Sequence, residues 1–257
     1  RTVGGFDLCW RAPKSVSLLF AFGDPDVSAA VRDAHDAAVA AAFDYVESRA
    51  AGTRTGHGGT EQLTVDALVA AAFRHRTSRS GDPHLHTHVL VANMARASDG
   101  KWRTLDGRLL YHHAKTAGYL YQAHLRHELT KRLGVTWGPV TKGTADLAAV
   151  DRSMIWAFSD RRRQIVEHLD TTGFRSARAA QIATLTTRPA KAPTAAASIR
   201  QVWTAKAVEV GFDPTSLARV LHTRPVRRTP LSAQPELMHQ LTGPEGLTHT
   251  DSTFDRR

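Results

Sequence analysis

One cysteine, Cys9, stands among 257 residues, so no internal disulfide can form and a multi-cysteine zinc site is excluded. Any metal centre must rest mainly on histidines and carboxylates. Long apolar runs are also missing: Arg, Asp or His breaks each one well short of the roughly 20 residues that a membrane-spanning helix needs, so membrane insertion is not expected. No HExxH pattern, P-loop or GxGxxG fingerprint occurs, which removes the usual support for a zinc protease, a nucleotide hydrolase or a dinucleotide enzyme. Arg1 stands where Met would open a chain, and no charged and then apolar leader follows it. The start reads as a cut through a longer protein, with no secretory signal and a cytoplasmic location expected.

What is present is globular and basic. Hydrophobic residues at 42% and charged residues at 23% match a packed domain. Thirty-four Lys and Arg against 24 Asp and Glu leave a net charge of +10, which favours anionic partners, nucleic acid first. The excess is shared along the chain: residues 1–150 hold 18 basic and 14 acidic groups, and the rest hold 16 and 10. Neither part is a separate basic arm or acidic tail.

Hydrophobic patterning predicts a strand over residues 6–10, stopped by Pro13, and a short helix or buried segment over 14–22. Asp24-Pro25 reads as an N-cap with proline in the first turn, opening an Ala-rich helix to about Ser48 with Val31, Ala34, Ala38, Ala41 and Tyr45 on one face. Glycines at 52, 56, 58 and 59 mark a hairpin. Residues 68–77 and 85–93 read as antiparallel strands joined by the turn residues 78–83, with a short strand over 101–105. A helix over 113–133 carries Ala117, Tyr121, Leu125, Leu129 and Leu133 in an i+4 stripe and ends at Gly134. A strand is expected at 135–140, a basic helix from about Ser159, and further helices over 177–186 and 195–210. Seven of the 11 prolines fall in residues 187–257. The expected organisation is a core over 1–170, a helical extension over 171–222 and a disordered tail over 223–257.

His86 and His88 lie one residue apart in a predicted strand, so both imidazoles point to the same face. His75 lies in the preceding strand, and the turn folds it back alongside. Three imidazoles converging from a hairpin would make a facial metal site with positions left open for substrate and water. His84 continues the alternation, but next to Pro83 it is expected at the exposed start of the strand. Lys14, Arg74, Arg76 and Arg79 surround this region and are candidates for phosphate contact, with Trp10 and Trp102 as candidates for base stacking.

Several segments resemble the MobF-type conjugative relaxases, the TrwC/TraI relaxase domain family, in their residues, order and spacing. They are Gly5-Phe6-Asp7-Leu8, Ala12-Pro13-Lys14-Ser15-Val16-Ser17, Phe73-Arg74-His75-Arg76-Thr77-Ser78-Arg79, Asp82-Pro83-His84-Leu85-His86-Thr87-His88 and Val91-Ala92-Asn93. The likeness runs from about residue 5 to 170, and more loosely to 210. It implies an α/β (α+β) HUH endonuclease fold, a central antiparallel sheet flanked by helices, which nicks and transfers single-stranded DNA at an origin of transfer through a 5′-phosphotyrosine link. It also implies one divalent ion, Mg²⁺ or Mn²⁺ before other first-row ions, held by His75, His86 and His88. Asp7 would orient a metal histidine and assist deprotonation of the tyrosine. Conjugation accessory or coupling proteins are implied partners.

One departure matters: the family's nucleophilic tyrosines lie upstream of the segment matching Asp7, and Tyr45, Tyr111, Tyr119 and Tyr121 fall elsewhere. The chain is therefore expected to be inactive in isolation. Two other readings remain at this point, a DNA-binding remnant that cleaves nothing and a metal hydrolase acting on small phosphoesters.

Overall fold

The computed structural model describes residues 3–173, 176–187, 198–223 and 231–243. Strand β1 (Gly5–Arg11) ends at Ala12-Pro13, where helix α1 (Lys14–Phe22) begins. The small polar residues of α1 are buried because they serve as connectors. Ser15 Oγ donates to Asp146 Oδ1 at 2.6 Å and accepts from Leu147 N at 2.9 Å, while Ser17 Oγ accepts from Leu85 N at 3.1 Å. Helix α2 (Pro25–Ala50) is capped by Asp24, whose Oδ1 accepts from Val27 N at 2.7 Å. Strands β2 (Gly52–Thr55) and β3 (Glu61–Thr64) form the expected hairpin.

Strands β4 (Ala70–Thr77) and β5 (Pro83–Ala92) follow, then the short antiparallel pair β6 (Ala95–Arg96) and β7 (Trp102–Arg103). Helix α3 (Gly107–Leu133) stops at Gly134, which takes the left-handed conformation at φ 59° that few other residues tolerate. Helices α4 (Arg152–Ala157), α5 (Asp160–Thr172), α6 (Ala177–Thr186) and α7 (Ile199–Glu209) lead to a 3₁₀ turn at Pro214–Val220. Ala207, Leu217 and Val220 pack into the same core as α1 to α3, within a compact unit of residues 1–224.

The main sheet has the order β1-β5-β4 and is antiparallel throughout. In the middle strand, β5, the residues Leu85, Thr87, Val89 and Val91 are buried, while His84, His86 and His88 are half-buried on the opposite face. One face of the sheet is thus core and the other is available for chemistry. Helices α2 and α3 run antiparallel against the core face, as the pairs His35–Tyr121 and Tyr45–His113 require. The i+4 stripe of α3 is buried throughout.

The structure departs from the sequence reading in places. Helix α3 starts at Gly107, six residues early, because Asp106 Oδ1 accepts from Arg108 N at 3.2 Å and caps it. The buried seam of α2 moves from Ala41 and Tyr45 to Ala42 and Val46, as a 3.6-residue repeat drifts over 26 residues. No strand forms at 135–140: only isolated bridges at Trp137–Leu147 and Thr141–Thr144 occur there, since Gly138 and Pro139 interrupt any ladder. Within the expected disordered tail, α8 (Gln234–Thr242) is helical and belongs to a separate unit. Residues 224–230 and 244–257 of that tail lie outside the described residues.

Candidate metal centre

Antiparallel register assembles the site from three strands. His75 of β4 lies directly opposite His86 of β5, and Cys9 of β1 lies directly opposite His88. The ring centres of His75, His86 and His88 form a nearly equilateral triangle, with sides of 5.1, 5.2 and 5.4 Å. Three imidazoles bound near-tetrahedrally to one ion at about 2.0–2.1 Å would stand roughly 5 Å apart from centre to centre. The spacing fits a shared ion. The donor atoms do not yet close on one point: among the described residues no group of three or more His, Cys, Asp or Glu side chains is arranged to hold an ion as it stands. His75 stacks on His86 at an interplanar angle of 30°, so convergence requires rotation of a ring.

Two of the rings already have one nitrogen assigned. His88 Nδ1 donates to the Asp7 carboxylate at 2.8 and 2.9 Å, and His86 Nδ1 donates to the His84 carbonyl at 2.8 Å. Each bond fixes a tautomer that leaves Nε2 as the lone-pair donor, the arrangement usual for metal-binding histidines. Cys9 Sγ lies 4.0 Å from His88 Nε2, on the same open face.

His84 is not at an exposed strand start. Its ring is half-buried and lies 4.7 Å from that of His86. Burial first, and then His86, Lys14 and Arg11, lower its pKa to about 3. Burial also lowers His86 and raises the Cys9 thiol, the latter with help from Asp7. Lys14 Nζ donates to the Pro83 carbonyl at 2.6 Å, and burial lowers its pKa to about 8. It therefore flanks the histidine row through the start of β5.

The other predicted contact residues scatter. Arg74 registers with Thr87 on the core face and pairs with Asp36 of α2. Arg76 follows at a bulge between His75 and Thr77 and lines a cleft of about 1010 Å³ between β4 and α2. Arg79 lies in the turn before β5. Trp10 is 5% exposed and packed in the core, so it cannot stack on a base, whereas Trp102 is 58% exposed. A second cleft, of about 780 Å³, opens beside Asp7 and is lined by Phe6, Arg54, Arg108 and Tyr111.

The sequence reading overlooked His35. It is 0% exposed in α2 and bonds the Tyr121 hydroxyl through Nδ1 (2.7 Å) and the Thr87 hydroxyl through Nε2 (2.8 Å). Thr87 lies between His86 and His88, so this contact steadies β5 from its core side. Burial drives the His35 pKa down to about 4, and the neutral ring donates from one nitrogen and accepts at the other.

An antiparallel sheet packed against helices, in a mixed α/β chain, is the fold of a relaxase domain. The chain belongs to the TrwC relaxase family, whose sequence model matches residues 1–210. It is 33% identical over 219 residues to the multifunctional conjugation protein TraI of Escherichia coli, and 32% identical to that of strain K12. These matches cover 81% of the chain but only 12% of each TraI protein, so the chain spans about an eighth of those relatives. A copper-bound structure of the conjugative relaxase TrwC in complex with oriT DNA superposes at a TM-score of 0.74 with 37% identity, covering 82% of this chain and 72% of that one. TrwC complexed with a 27-mer DNA comprising the recognition hairpin and cleavage site superposes at 0.73, with 38% identity and coverage of 82% and 75%. No helix among the described residues is long and apolar enough to cross a membrane.

Proposed function

We propose that the chain is the DNA-processing part of a conjugative relaxase. It binds single-stranded DNA at an origin of transfer and supports strand transfer through a phosphotyrosine link. The observation that carries this reading is the triangle of His75, His86 and His88 with Asp7 on the Nδ1 of His88, in a chain of this family. A divalent cation held there would neutralise charge on the non-bridging oxygens of the scissile phosphate. Phosphate chemistry argues for Mg²⁺ or Mn²⁺, and an all-imidazole donor set argues for a later first-row ion.

The chain's own residues supply orientation. Asp7 and the His84 carbonyl hold two imidazoles with Nε2 outward, Thr87 anchors the strand to His35, and the Asp7 carboxylate would be the acceptor for a phenol proton. In the transfer step a phenolate oxygen bonds to phosphorus as the bond to the 3′ oxygen breaks, and that oxygen takes up a proton. The resemblance puts the phenolate on a tyrosine upstream of the segment matching Asp7, and no tyrosine of this sequence precedes Asp7. Tyr121 is buried on His35, Tyr45 is bonded to His113, Tyr119 lies over Gly143, and Tyr111 rests against Phe6 in the cleft beside Asp7.

A denaturing gel with a labelled origin-derived single strand tests this reading. The 257-residue chain is expected to give no covalent band with metal present. The same chain extended through the upstream coding sequence is expected to give one, lost on chelation or in His86→Ala. A band from the shorter chain that Tyr111→Phe abolishes would move the nucleophile to Tyr111. No band from the extended chain would leave a DNA-binding remnant as the better description.

A further inference from the structure

The open face of the sheet has two unlike ends. Register sets Asp7 and Arg11 of β1 opposite Leu90 and His86 of β5, and Phe73 and His75 of β4 opposite His88 and His86. Beyond His88 the face is apolar and acidic: Phe73 is 50% and Leu90 46% exposed, and the Asp7 carboxylate is turned onto His88. At the His86 end it carries Arg11, which is exposed. The arginines of β4 lie elsewhere, since Arg74 pairs with Asp36 and Arg76 lines the cleft toward α2.

Arg11 is fixed at its backbone and free at its tip. Gln122 Nε2 of α3 donates to the Arg11 carbonyl at 3.0 Å, and the N–H of Ala12 donates to the Leu85 carbonyl at 3.0 Å. Among the described residues no acceptor meets the guanidinium. The carboxylate of the same strand, Asp7, is four residues away, or about 13 Å at the rise of a strand. An arginine held in place but left unpaired, on a face otherwise lined there by imidazoles, suits an anion that the chain does not supply. Its fork matches two oxygens of one phosphate.

We propose that Arg11 binds a backbone phosphate of the single strand, adjacent to the phosphate that the histidine triangle faces. The strand then crosses the sheet from Phe73 and Leu90 to Arg11. The inference rests on the reading of this face as the single-strand site and needs no ion. Arg11 and His88 are two register positions apart, about 7 Å along the sheet, a distance that one extended nucleotide step spans. On the far side of the triangle the Phe73 ring offers a surface on which a base can stack. Arg11 is thus a positioning residue: by holding one phosphate it decides which neighbour lies over the histidines.

The test is fluorescence anisotropy of the 257-residue chain with a labelled oligothymidylate, in chelator and at several salt concentrations. Arg11→Gln is expected to weaken binding about tenfold and to flatten the slope of log K against log salt by about 0.7. Arg11→Lys should keep the wild-type slope and recover part of the affinity, because it restores the charge without the fork. Lys131→Gln removes an equal charge from the last turn of α3, on the helix side of the sheet, and should change neither quantity. An Arg11→Gln chain that binds as well as Lys131→Gln, or an Arg11→Lys chain with the flattened slope, overturns the phosphate contact and leaves single-strand binding standing. No binding of the oligonucleotide by the wild type overturns the reading of the face, and the Arg11 contact with it.

Discussion

His35 couples the stability of the fold to pH. Its folded-state pKa of about 4 lies below the ordinary 6.5, so between these values the unfolded chain binds a proton that the folded chain refuses. The stability is fully present above pH 6.5 and is lost as pH falls toward 4, for a total on the order of 3 kcal/mol. Urea unfolding of the metal-free chain should therefore show about 2 kcal/mol less stability at pH 5 than at pH 7 from this ring. His84, also lowered, acts in the same direction. In His35→Gln the pH slope should flatten by about one proton, while stability at pH 7 falls by about 1–3 kcal/mol from the disturbed Thr87 and Tyr121 hydrogen bonds. An unchanged slope would show that His35 does not titrate this way. The contrast with His86 and His88 explains what was legible at this scale. A strand repeats every two residues, so His-x-His declares a shared face, whereas one histidine among the alanines of α2 leaves no periodic signal.

The turn between β4 and β5 is held by elements far along the chain. Trp203 Nε1 of α7 donates to the Gly81 carbonyl at 2.8 Å. Lys206 Nζ bridges Asp82 Oδ1 (2.6 Å) and Asp160 Oδ2 (2.7 Å), and Asp82 Oδ2 accepts from Asp160 N at 2.8 Å. Asp82 is 2% exposed, so its carboxylate is satisfied by this cation and the Asp160 N–H rather than by water. Lys206→Met should cost roughly 3 kcal/mol, toward the low end for a broken buried pair because Lys206 keeps a fifth of its side chain in water. Arg103→Ala, which breaks an exposed pair with Asp99, should change stability little. A double-mutant cycle of Lys206→Met with Asp82→Asn reads the coupling, and a value near zero would show that α7 does not brace the turn. Helices α2, α3 and α5 to α7 and the two hairpins were legible from caps, turns and periodicity, whereas no helix was read at α4 or α8. The clamp was not, since it joins residues more than 120 positions apart.

Across the whole molecule, the charge of +10 and the open sheet face predict a preference for single-stranded over duplex DNA, with affinity falling as salt rises. If Lys14, Arg76 and Arg79 each reach a phosphate, the slope of log K against log salt should be about −2, at −0.7 per contact. Fluorescence titration at several salt concentrations measures it, and equal affinity for both forms would count against a single-strand groove. The fold class was readable because the histidine row and the core residues share one strand. That sharing has a practical result. A slip of β5 by one residue would turn His84, His86 and His88 into the helices and send Leu85, Val89 and Val91 to water. If the triangle takes up an ion, that uptake would report the register of β5 as well as the chemistry of the site, because a slipped strand presents no histidine to the open face.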